Sequence, residues 1–346
     1  MTPNPDGTWV EKDLYSFTHG ADGGQPWGNV IFDAAGNLYG TTAYGGVGQC
    51  SDKYGSGCGT VFELIPNFDG TWSETTLYSF GGGTDGGKPA AGLAFDSFGN
   101  VYGTSVSGGT GDCEQYGYSG CGTVFELTPN PGGGWTESVL HSFTGTADGA
   151  VPQCMLTLDP SGNLYGTTYF SGDCDYCGTV FELSPNPDGG WTENLLHKFT
   201  GGRDGAQPWA GPLIFDSQGN LYGTAEWGGK GYGTVFELMP VGDGTWKGSL
   251  LHSFTKGYDG AWPHSGVAFD TAGNLYSTTS GGGTYGYGVV FKLTRGEGVR
   301  WHETAASFKN NPASSPFAGV IFDAAGNLYG VSHSTRYDMV VFEITP

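Results

Sequence analysis

The sequence predicts a single all-β domain, a six-bladed β-propeller with four antiparallel strands in each blade. The first observation is a block with the pattern F-D-x-x-G-N-L-Y-G-T-T, which recurs six times in near-copies. Its aspartates are Asp33, Asp96, Asp159, Asp216, Asp270 and Asp323. The second is composition, because 66 glycines and 14% aromatic residues among 346 indicate short strands, tight turns and an aromatic core. The third is that no stretch follows the 3.6-residue period of a helix.

Each repeat contains four segments with the apolar alternation or apolar runs of short strands. In the second repeat they are Gly92–Asp96, Asn100–Ser105, Thr123–Thr128 and Trp135–Phe143. The sequences Asp-x-x-Gly-Asn and Asn-Pro-Asp-Gly lie between strands and predict tight turns, because Asp caps the backbone and Gly adopts positive φ. Such an array favours propeller blades over a solenoid, which we would expect to have atypical terminal repeats.

The repeat also predicts the blade boundaries within one domain that spans residues 1–346. The blades cover approximately 28–80, 91–143, 153–199, 211–254, 265–308, and 317–346 together with 8–17. The last assignment follows from residues 2–7, which match the turn between the third and fourth strands of the other repeats. We therefore expect Trp9–Phe17 to complete the last blade as its outer strand, which removes the open edges of the sheet.

Charge and hydropathy limit the partners of this chain. The 13 Lys and Arg against 34 Asp and Glu give a formal charge of −21, which repels phosphate backbones, so we expect no nucleic-acid partner. No apolar run approaches the roughly 20 residues that span a bilayer, so we expect no membrane insertion. We also expect a monomer. The chain opens without a visible signal peptide, and we interpret it as a mature or trimmed form.

Six of the seven cysteines lie as local pairs in equivalent loops, between the second and third strands of blades 1 to 3. The pairs are Cys50 with Cys58, Cys113 with Cys121, and Cys174 with Cys177. We predict three disulfides that close these glycine-rich loops, and hence an oxidising location, extracellular or at the cell surface. The alternatives are zinc or redox chemistry, but the C-x-x-C at Cys174 lacks a second pair and a βαβ setting. We expect the seventh, Cys154, to be a small buried thiol.

Two sets of loops share one face of the predicted propeller, which we call the loop face: the Cys-bearing loops and the loops that link successive blades. Long, divergent loops carry function more often than short uniform turns. Four tryptophans outside the repeated set lie in these loops, namely Trp27, Trp209, Trp227 and Trp262. We predict that they bind a ligand together with Arg203 and Lys230, and sugar rings suit indole surfaces. The alternative is that these indoles pack between blades.

Polar residues that differ from the repeat pattern are concentrated in blades 4 to 6. The candidate catalytic residues are Glu226, His264, His333, Arg336 and Tyr337. Such a set can supply an acid, a base and an anion clamp for hydrolysis or elimination on a polysaccharide, provided that the side chains lie close together. The alternative for each is a solvated loop residue.

Two recurring features have simpler interpretations. Five linking loops carry an aspartate before glycine, at Asp22, Asp85, Asp148, Asp204 and Asp259. Calcium binding is one interpretation, but one aspartate per loop is more typical of turn chemistry. At one outer-strand position, histidine (His141, His197, His252) alternates with tyrosine (Tyr15, Tyr78). This exchange indicates an amphipathic strand, so we predict no metal site and no cofactor, with calcium as the alternative.

With these motifs the chain resembles the bacterial tandem-repeat family called GloVer, which occurs in extracellular proteins. The resemblance covers essentially the whole chain and rests on near-copies of L-Y/H-S-F, D-G, F-D-x-x-G-N-L-Y-G-T-T and G-T-V-F-E-L-T-P. It implies a cell-surface or secreted role and no particular reaction. The blade pattern is also similar to that of NHL and SMP-30-type propellers. The latter enzymes carry acidic and Asn metal ligands at the channel mouth, and this sequence has no matching acidic set, so lactonase activity is not expected.

Three functions are compatible with this pattern. The leading hypothesis is a secreted or surface-displayed module that binds a glycan or another extracellular ligand on the loop face. The second is an extracellular carbohydrate-active enzyme, either a polysaccharide lyase or a glycoside hydrolase. The third is a purely structural repeat module of a surface protein, whose loop face would have no cleft and near-sixfold chemistry.

Overall fold

The computed structural model describes residues 2–3, 9–10, 12–171, 174–209, 211–296, 300–309, 314–333 and 339–345. Within these residues the chain forms β-strands and one short 3₁₀ helix at Glu114–Tyr116. The strands build six antiparallel sheets arranged as the blades of a ring, so the prediction of an all-β six-bladed propeller is confirmed. In the described part of the chain, no helix is long and apolar enough to cross a membrane.

An N-terminal hairpin and three four-stranded blades account for the first half of the chain. The hairpin consists of β1 (Thr2–Pro3) and β2 (Trp9–Val10). The strands of blades 1 to 3 are β3 (Ile31–Phe32), β4 (Leu38–Thr42), β5 (Thr60–Pro66), β6 (Trp72–Ser79), β7 (Ala94–Phe95), β8 (Val101–Ser105), β9 (Thr123–Pro129), β10 (Trp135–Ser142), β11 (Thr157–Leu158), β12 (Leu164–Thr168), β13 (Thr179–Pro185) and β14 (Trp191–Lys198). Within each blade, neighbours in the chain are neighbours in the sheet.

Blades 4 and 5 repeat this order, and blade 6 has three strands among the described residues. Their strands are β15 (Ile214–Phe215), β16 (Leu221–Ala225), β17 (Thr234–Gly242), β18 (Thr245–Ser253), β19 (Ala268–Phe269), β20 (Leu275–Thr279), β21 (Val289–Arg295), β22 (Trp301–Ser307), β23 (Val320–Phe322), β24 (Leu328–His333) and β25 (Met339–Ile344).

The second and third strands form the buried centre of each blade. In blade 2 every residue of β8 is buried, and Phe125 of β9 is fully buried behind it. Gly103 of β8 makes this packing feasible, because a Cβ atom there would lie 2.5 Å from the tip of the Phe125 ring. The fourth strands alternate between exposed and partly buried residues, as expected for the outer edge of a blade.

The first strands are shorter than predicted. In blade 2 the expected strand Gly92–Asp96 pairs only at Ala94–Phe95. The chain just before this pair lies against blade 1. The Thr41 hydroxyl of blade 1 donates to the carbonyl of Ala91 at 2.8 Å, and a Cβ atom on Gly92 would lie 3.0 Å from the carbonyl oxygen of Asn29.

The Asp-x-x-Gly-Asn turns form one hydrogen-bond network that recurs around the ring, on what we call the short-turn face. In blade 1, Asp33 accepts the backbone N–H of Asn37 at 2.8 Å, and the Tyr39 hydroxyl donates to Glu63 at 2.7 Å. The Asp–Asn backbone bond recurs in all six blades. The predicted tight turns are confirmed, and the side chains that define the motif also fix the turn against the third strand.

Neighbouring blades meet through pairs of phenylalanines in edge-to-face contact. Ring centroids lie 4.8 to 5.2 Å apart in the pairs Phe17–Phe62, Phe80–Phe125, Phe143–Phe181, Phe199–Phe236, Phe254–Phe291 and Phe308–Phe342. One ring of each pair comes from the end of the outer-strand segment, and the other comes from the third strand of the next blade. Edge-to-face pairing adds to the burial of these large side chains, so the seams contribute much of the apolar core.

The N-terminal segment only partly follows the prediction that Trp9–Phe17 forms one outer strand. Trp9 is opposite Pro3 in the N-terminal hairpin, the same register in which Trp72 is opposite Pro66 in blade 1. Residues 12–18 form no strand. Phe17 nevertheless packs on Phe62 as the other seam phenylalanines do. Pairing of this segment with blade 6 stays a prediction.

Candidate ligand-binding site on the loop face

The linking loops share an uncommon backbone at the residue before proline. This residue has positive φ, between 45° and 59°, in every blade, at Gln25, Lys88, Val151, Gln207, Trp262 and Ser315. Such a conformation is costly for a side-chain-bearing residue and persists only where the surroundings enforce it. In blade 2 the Lys88 N–H donates to the Cys58 carbonyl at 2.6 Å, and the Lys88 carbonyl accepts from Val106 at 3.3 Å. The loop is thus fixed to two blades, which makes it a rigid support for its side chains.

Side chains beside these prolines form a continuous cluster across blades 3 to 6. The Trp209 ring lies 4.8 Å from Tyr169 and 5.4 Å from His264, and His264 lies 4.8 Å from Phe317. Trp209, His264 and Phe317 each follow proline in successive blades. Because equivalent side chains of successive blades contact one another, they lie around the axis of the ring. We call these residues, together with Glu226, the central cluster.

Glu226 is the charged member of the central cluster. It follows β16, as Tyr169 follows β12, so the two residues occupy equivalent positions in neighbouring blades. The Tyr169 hydroxyl donates to Glu226 Oε2 at 2.8 Å, and Nδ1 of His264 lies 3.9 Å from the same oxygen. The structure therefore brings together two predicted catalytic residues, Glu226 and His264.

Burial alters the ionisation of this cluster. Glu226 is 8% exposed, and burial raises its pKa, although the hydrogen bond from Tyr169 acts in the opposite direction. Burial lowers the pKa of His264 to about 4, so its imidazole is neutral at neutral pH. Nδ1 of His264 is buried and has no hydrogen-bond partner among the described residues. A carboxyl group with a raised pKa beside a neutral imidazole can donate and accept a proton, or hydrogen bond to hydroxyl groups of a ligand.

The other predicted catalytic residues are not placed with these two. His333 ends β24, and its backbone occupies the position that Glu226 has in blade 4, but its side chain lies outside the described structure. Arg336 and Tyr337 also lie outside the described residues. Their proposed catalytic roles stay predictions.

A second aromatic group lies between blades 4 and 5. Trp227 and Trp262 have ring centroids 6.0 Å apart, and Tyr232 is also 6.0 Å from Trp262. The Lys256 ammonium lies 4.7 Å from the centre of the Trp262 ring, within the range of a cation–π contact. Trp227 is 40% exposed. This group is partly packed between loops and partly open to solvent.

A third group lies on blades 1 and 2. Trp27 is 59% exposed, and its ring lies 5.9 Å from that of Tyr44. Asp52 accepts hydrogen bonds from Tyr44 at 2.9 Å and from Lys88 at 2.6 Å. Burial raises the pKa of Asp52, but the hydrogen bonds, led by that of Lys88, outweigh it and lower the pKa to about 2. Asp52 is therefore a fixed anion beside an exposed indole.

The four predicted ligand-binding tryptophans are thus neither all buried nor gathered in one place. Trp209 and Trp262 are partly buried in aromatic contacts, whereas Trp27 and Trp227 are exposed. Arg203 and Lys230 are exposed on loops of blade 4. Ligand binding by these residues stays a prediction.

Sequence reasoning missed Tyr169 and Phe317 as members of the site. Tyr169 occupies the same repeat position as Glu226, and Phe317 occupies the same position as Trp209 and His264. A comparison of all six blades at these two positions would have found both. Tyr44 occupies the same repeat position as Trp227, so the comparison of blades would have found it as well. Asp52 lies inside a Cys-bearing loop, and the sequences of these loops differ between blades.

The cysteine pairs are joined as predicted. The Cα atoms are 5.0 Å apart in Cys50–Cys58, 5.1 Å in Cys113–Cys121 and 5.3 Å in Cys174–Cys177. Cys154 is buried and unpaired, as expected. Three disulfides indicate an oxidising environment.

The recurring aspartates of the linking loops stabilise turns, as predicted. Asp22, Asp148, Asp204 and Asp259 each accept the backbone N–H of the threonine four residues earlier, at 2.7 to 3.0 Å. Asp85 accepts the N–H of Gly81 in the same way at 2.6 Å. The alternative of calcium binding at these positions stays untested.

Comparisons with known proteins confirm the architecture. No curated protein matches the chain significantly. A proposed oxidoreductase (glucose dehydrogenase) from Thermus thermophilus has a similar structure, with a TM-score of 0.51, 16% identity, and coverage of 93% of this chain and 98% of that one. A puromycin-hydrolyzing peptidase from Mycobacterium tuberculosis has a TM-score of 0.51 at 12% identity, with coverage of 93% of this chain and 42% of the peptidase. At such identities the similarity shows the fold alone.

The family model of the Gloeobacter/Verrucomicrobia repeat matches the sequence twice, at residues 1–176 and 156–346. These two segments together span the chain, and each contains the repeat motifs described above. The protein therefore belongs to the Gloeobacter/Verrucomicrobia repeat (GloVer) family.

Proposed function

We propose that this protein is a secreted or surface-displayed module that binds a glycan on the loop face. The observation that carries the proposal is the exposure of large aromatic side chains on rigid loops of that face. Trp27 is 59% exposed, Phe317 49% and Trp227 40%. An exposed indole has an apolar surface and a hydrogen-bonding edge, which suits the alternating apolar faces and hydroxyl groups of a sugar.

The framework does not require aromatic residues at these positions. The residue after the linking proline is Trp27 in blade 1 but Ala90 in blade 2 and Gln153 in blade 3. The blades around these three residues have the same strand order and the same seam contacts. Exposed aromatic residues are therefore not explained by folding, and a partner is a sufficient reason to keep them at the surface.

The central cluster supplies polar groups that a carbohydrate needs. Glu226 and the neutral His264 can accept and donate hydrogen bonds to hydroxyl groups, and Trp209, whose ring contacts both Tyr169 and His264, forms an apolar wall beside them. The three disulfides support an extracellular location for this face, since they close loops that belong to it.

A panel of immobilised polysaccharides followed by calorimetry on the best binder tests this proposal. We expect Trp27→Ala and Trp227→Ala each to weaken binding by roughly tenfold, equivalent to about 1.4 kcal/mol. Phe98→Ala is the matched control, because Phe98 is 86% exposed on the short-turn face. Equal affinities in all three variants, or no binding to any glycan, would refute a glycan site on the loop face.

A second candidate function is an extracellular carbohydrate-active enzyme, a lyase or a hydrolase. The observation in its favour is the pair of Glu226 and His264, which are buried, in contact and shifted in pKa by their surroundings. In this scheme Glu226 donates a proton to the leaving group and His264 accepts one, while His333, Arg336 and Tyr337 are further candidates.

Incubation of the protein with polysaccharides, with and without calcium, and mass spectrometry of the soluble products separates the two functions. An enzyme releases new oligosaccharides, and Glu226→Gln abolishes them while Phe98→Ala does not. Binding of a polysaccharide without release of oligosaccharides supports the binding module and not the enzyme. The differing side chains at equivalent loop positions argue against a purely structural role, for which near-sixfold chemistry was expected.

A further inference from the structure

A set of three metal-ligating side chains lies at the seam between blades 2 and 3, outside the candidate ligand-binding site. His141 comes from β10, Asp148 from the following linking loop, and Glu193 from β14 of the next blade. One nitrogen or oxygen atom from each lies within 4.8 Å of the other two. In the described part of the chain this is the only set of three or more His, Cys, Asp or Glu residues that converges in this way.

Two of the three side chains have a buried polar atom that lacks a hydrogen-bond partner among the described residues. His141 Nε2 and Glu193 Oε1 are buried without a hydrogen-bond partner among the described residues. The distance from His141 Nε2 to Asp148 Oδ2 is 3.7 Å, which is too long for a hydrogen bond. Asp148 is held in place by Thr144, whose backbone N–H donates at 2.7 Å and whose hydroxyl donates at 2.5 Å. A cation bound by His141 Nε2 and Glu193 Oε1 would give both atoms a partner, as would a proton held between them.

The next seam shows what happens without the third acid. Between blades 3 and 4 the position of Glu193 is occupied by Gly248. There the His197 Nε2 to Asp204 Oδ2 distance is 3.2 Å, a hydrogen bond. At the seam between blades 4 and 5, Glu303 occupies this position, and the His252 Nε2 to Asp259 Oδ2 distance is 3.4 Å. The histidine–aspartate distance is therefore shortest where the glutamate is missing and longest between His141 and Asp148, where the three side chains converge.

We propose that His141, Asp148 and Glu193 bind a divalent transition-metal ion, zinc by its ligand set, which joins blade 2 to blade 3. Bonds of roughly 2.0 to 2.2 Å in a tetrahedron separate neighbouring ligand atoms by roughly 3.3 to 3.6 Å, close to the histidine–aspartate spacing. One imidazole and two carboxylates suit zinc and leave a fourth position for water. Calcium is a poorer fit, because it takes six to eight oxygen ligands. This differs from the sequence-based expectation, which placed no metal here.

The test uses the whole chain without an affinity tag, freed of metal by a chelator and kept under non-reducing conditions. Calorimetric titration with zinc is expected to show one equivalent bound, and the melting temperature is expected to rise with free zinc, because the ion binds the folded chain. Cobalt titration followed by visible absorption reports the ligand geometry. We expect His141→Tyr and Glu193→Gln to lose the bound equivalent.

The variants are chosen so that the fold is kept. Tyrosine occupies the position of His141 in blade 1, as Tyr78, so His141→Tyr copies a residue that the framework already accepts. His252→Tyr, at the seam between blades 4 and 5 where the three atoms do not converge, is the matched control and should retain the ion. Zinc binding that survives both His141→Tyr and Glu193→Gln would overturn the proposal. A folded wild-type protein that binds no ion at millimolar zinc would also overturn the proposal, because protons would then satisfy the buried polar groups of this seam.

Discussion

The two faces of the propeller come from the same six repeats and yet differ in how far they follow the repeat. On the short-turn face, the Asp–Asn hydrogen bond is present in every blade. On the loop face, the residues after the linking prolines are Trp27, Ala90, Gln153, Trp209, His264 and Phe317. The residue before each of these prolines has positive φ in every blade. The comparison indicates that the repeated side chains build the ring, while the side chains after the linking prolines vary without changing it.

The seams resemble the short-turn face in that the same contacts recur around the ring. The largest expected effect is therefore that of Phe125→Ala, which empties a fully buried position in contact with Phe80. Loss of a buried phenylalanine ring typically costs about 3–5 kcal/mol of unfolding free energy. Urea denaturation measures it, with Phe98→Ala as the exposed control, for which a change within about 0.5 kcal/mol is expected. Similar losses in the two variants would contradict the role of the seam.

A smaller effect is expected from Asp96→Ala on the short-turn face. Asp96 accepts the backbone N–H groups of Phe98 at 2.8 Å and Asn100 at 2.9 Å, and both lose a partner in the variant. We expect a loss of about 1–2 kcal/mol in the free energy of unfolding, and no change in glycan affinity. A changed affinity in the folded variant would show that the two faces are coupled, and the division drawn above would then fail.

The smallest expected effect concerns the pH dependence of the seam between blades 1 and 2. Burial raises the pKa of Glu137 from its usual 4.5 to about 7, and the charge of Asp85 adds to this. The folded protein therefore holds a proton that the unfolded chain releases between these two values, so this group makes stability fall as pH rises through that window. Glu137→Gln removes the effect. Its urea midpoint should exceed that of the wild type above pH 7 and match it below pH 4.5. A difference independent of pH would exclude this ionisation.

The comparison also explains which features could be predicted. Turns such as the one at Asp33 and the Cys113–Cys121 disulfide depend on residues close together in the chain, so their sequence patterns predicted them correctly. The length of the first strand in blade 2 was predicted wrongly, because the chain before Ala94 lies against another blade, where Thr41 donates to the carbonyl of Ala91. Tyr169 was likewise not predicted as a partner of Glu226, because the two residues lie in different blades.

The sequence by itself determined the number of blades, their strand order, the turns and the three disulfides. These features depend on the repeat period, on turn residues and on contacts between residues close together in the chain. The same patterns recur along the sequence. Only the tertiary structure decided which loop side chains meet. Tyr169 and Glu226 are 57 residues apart in the chain and 2.8 Å apart in space. Closing the blades into a ring sets that distance, and no local pattern records the angle at which successive blades pack.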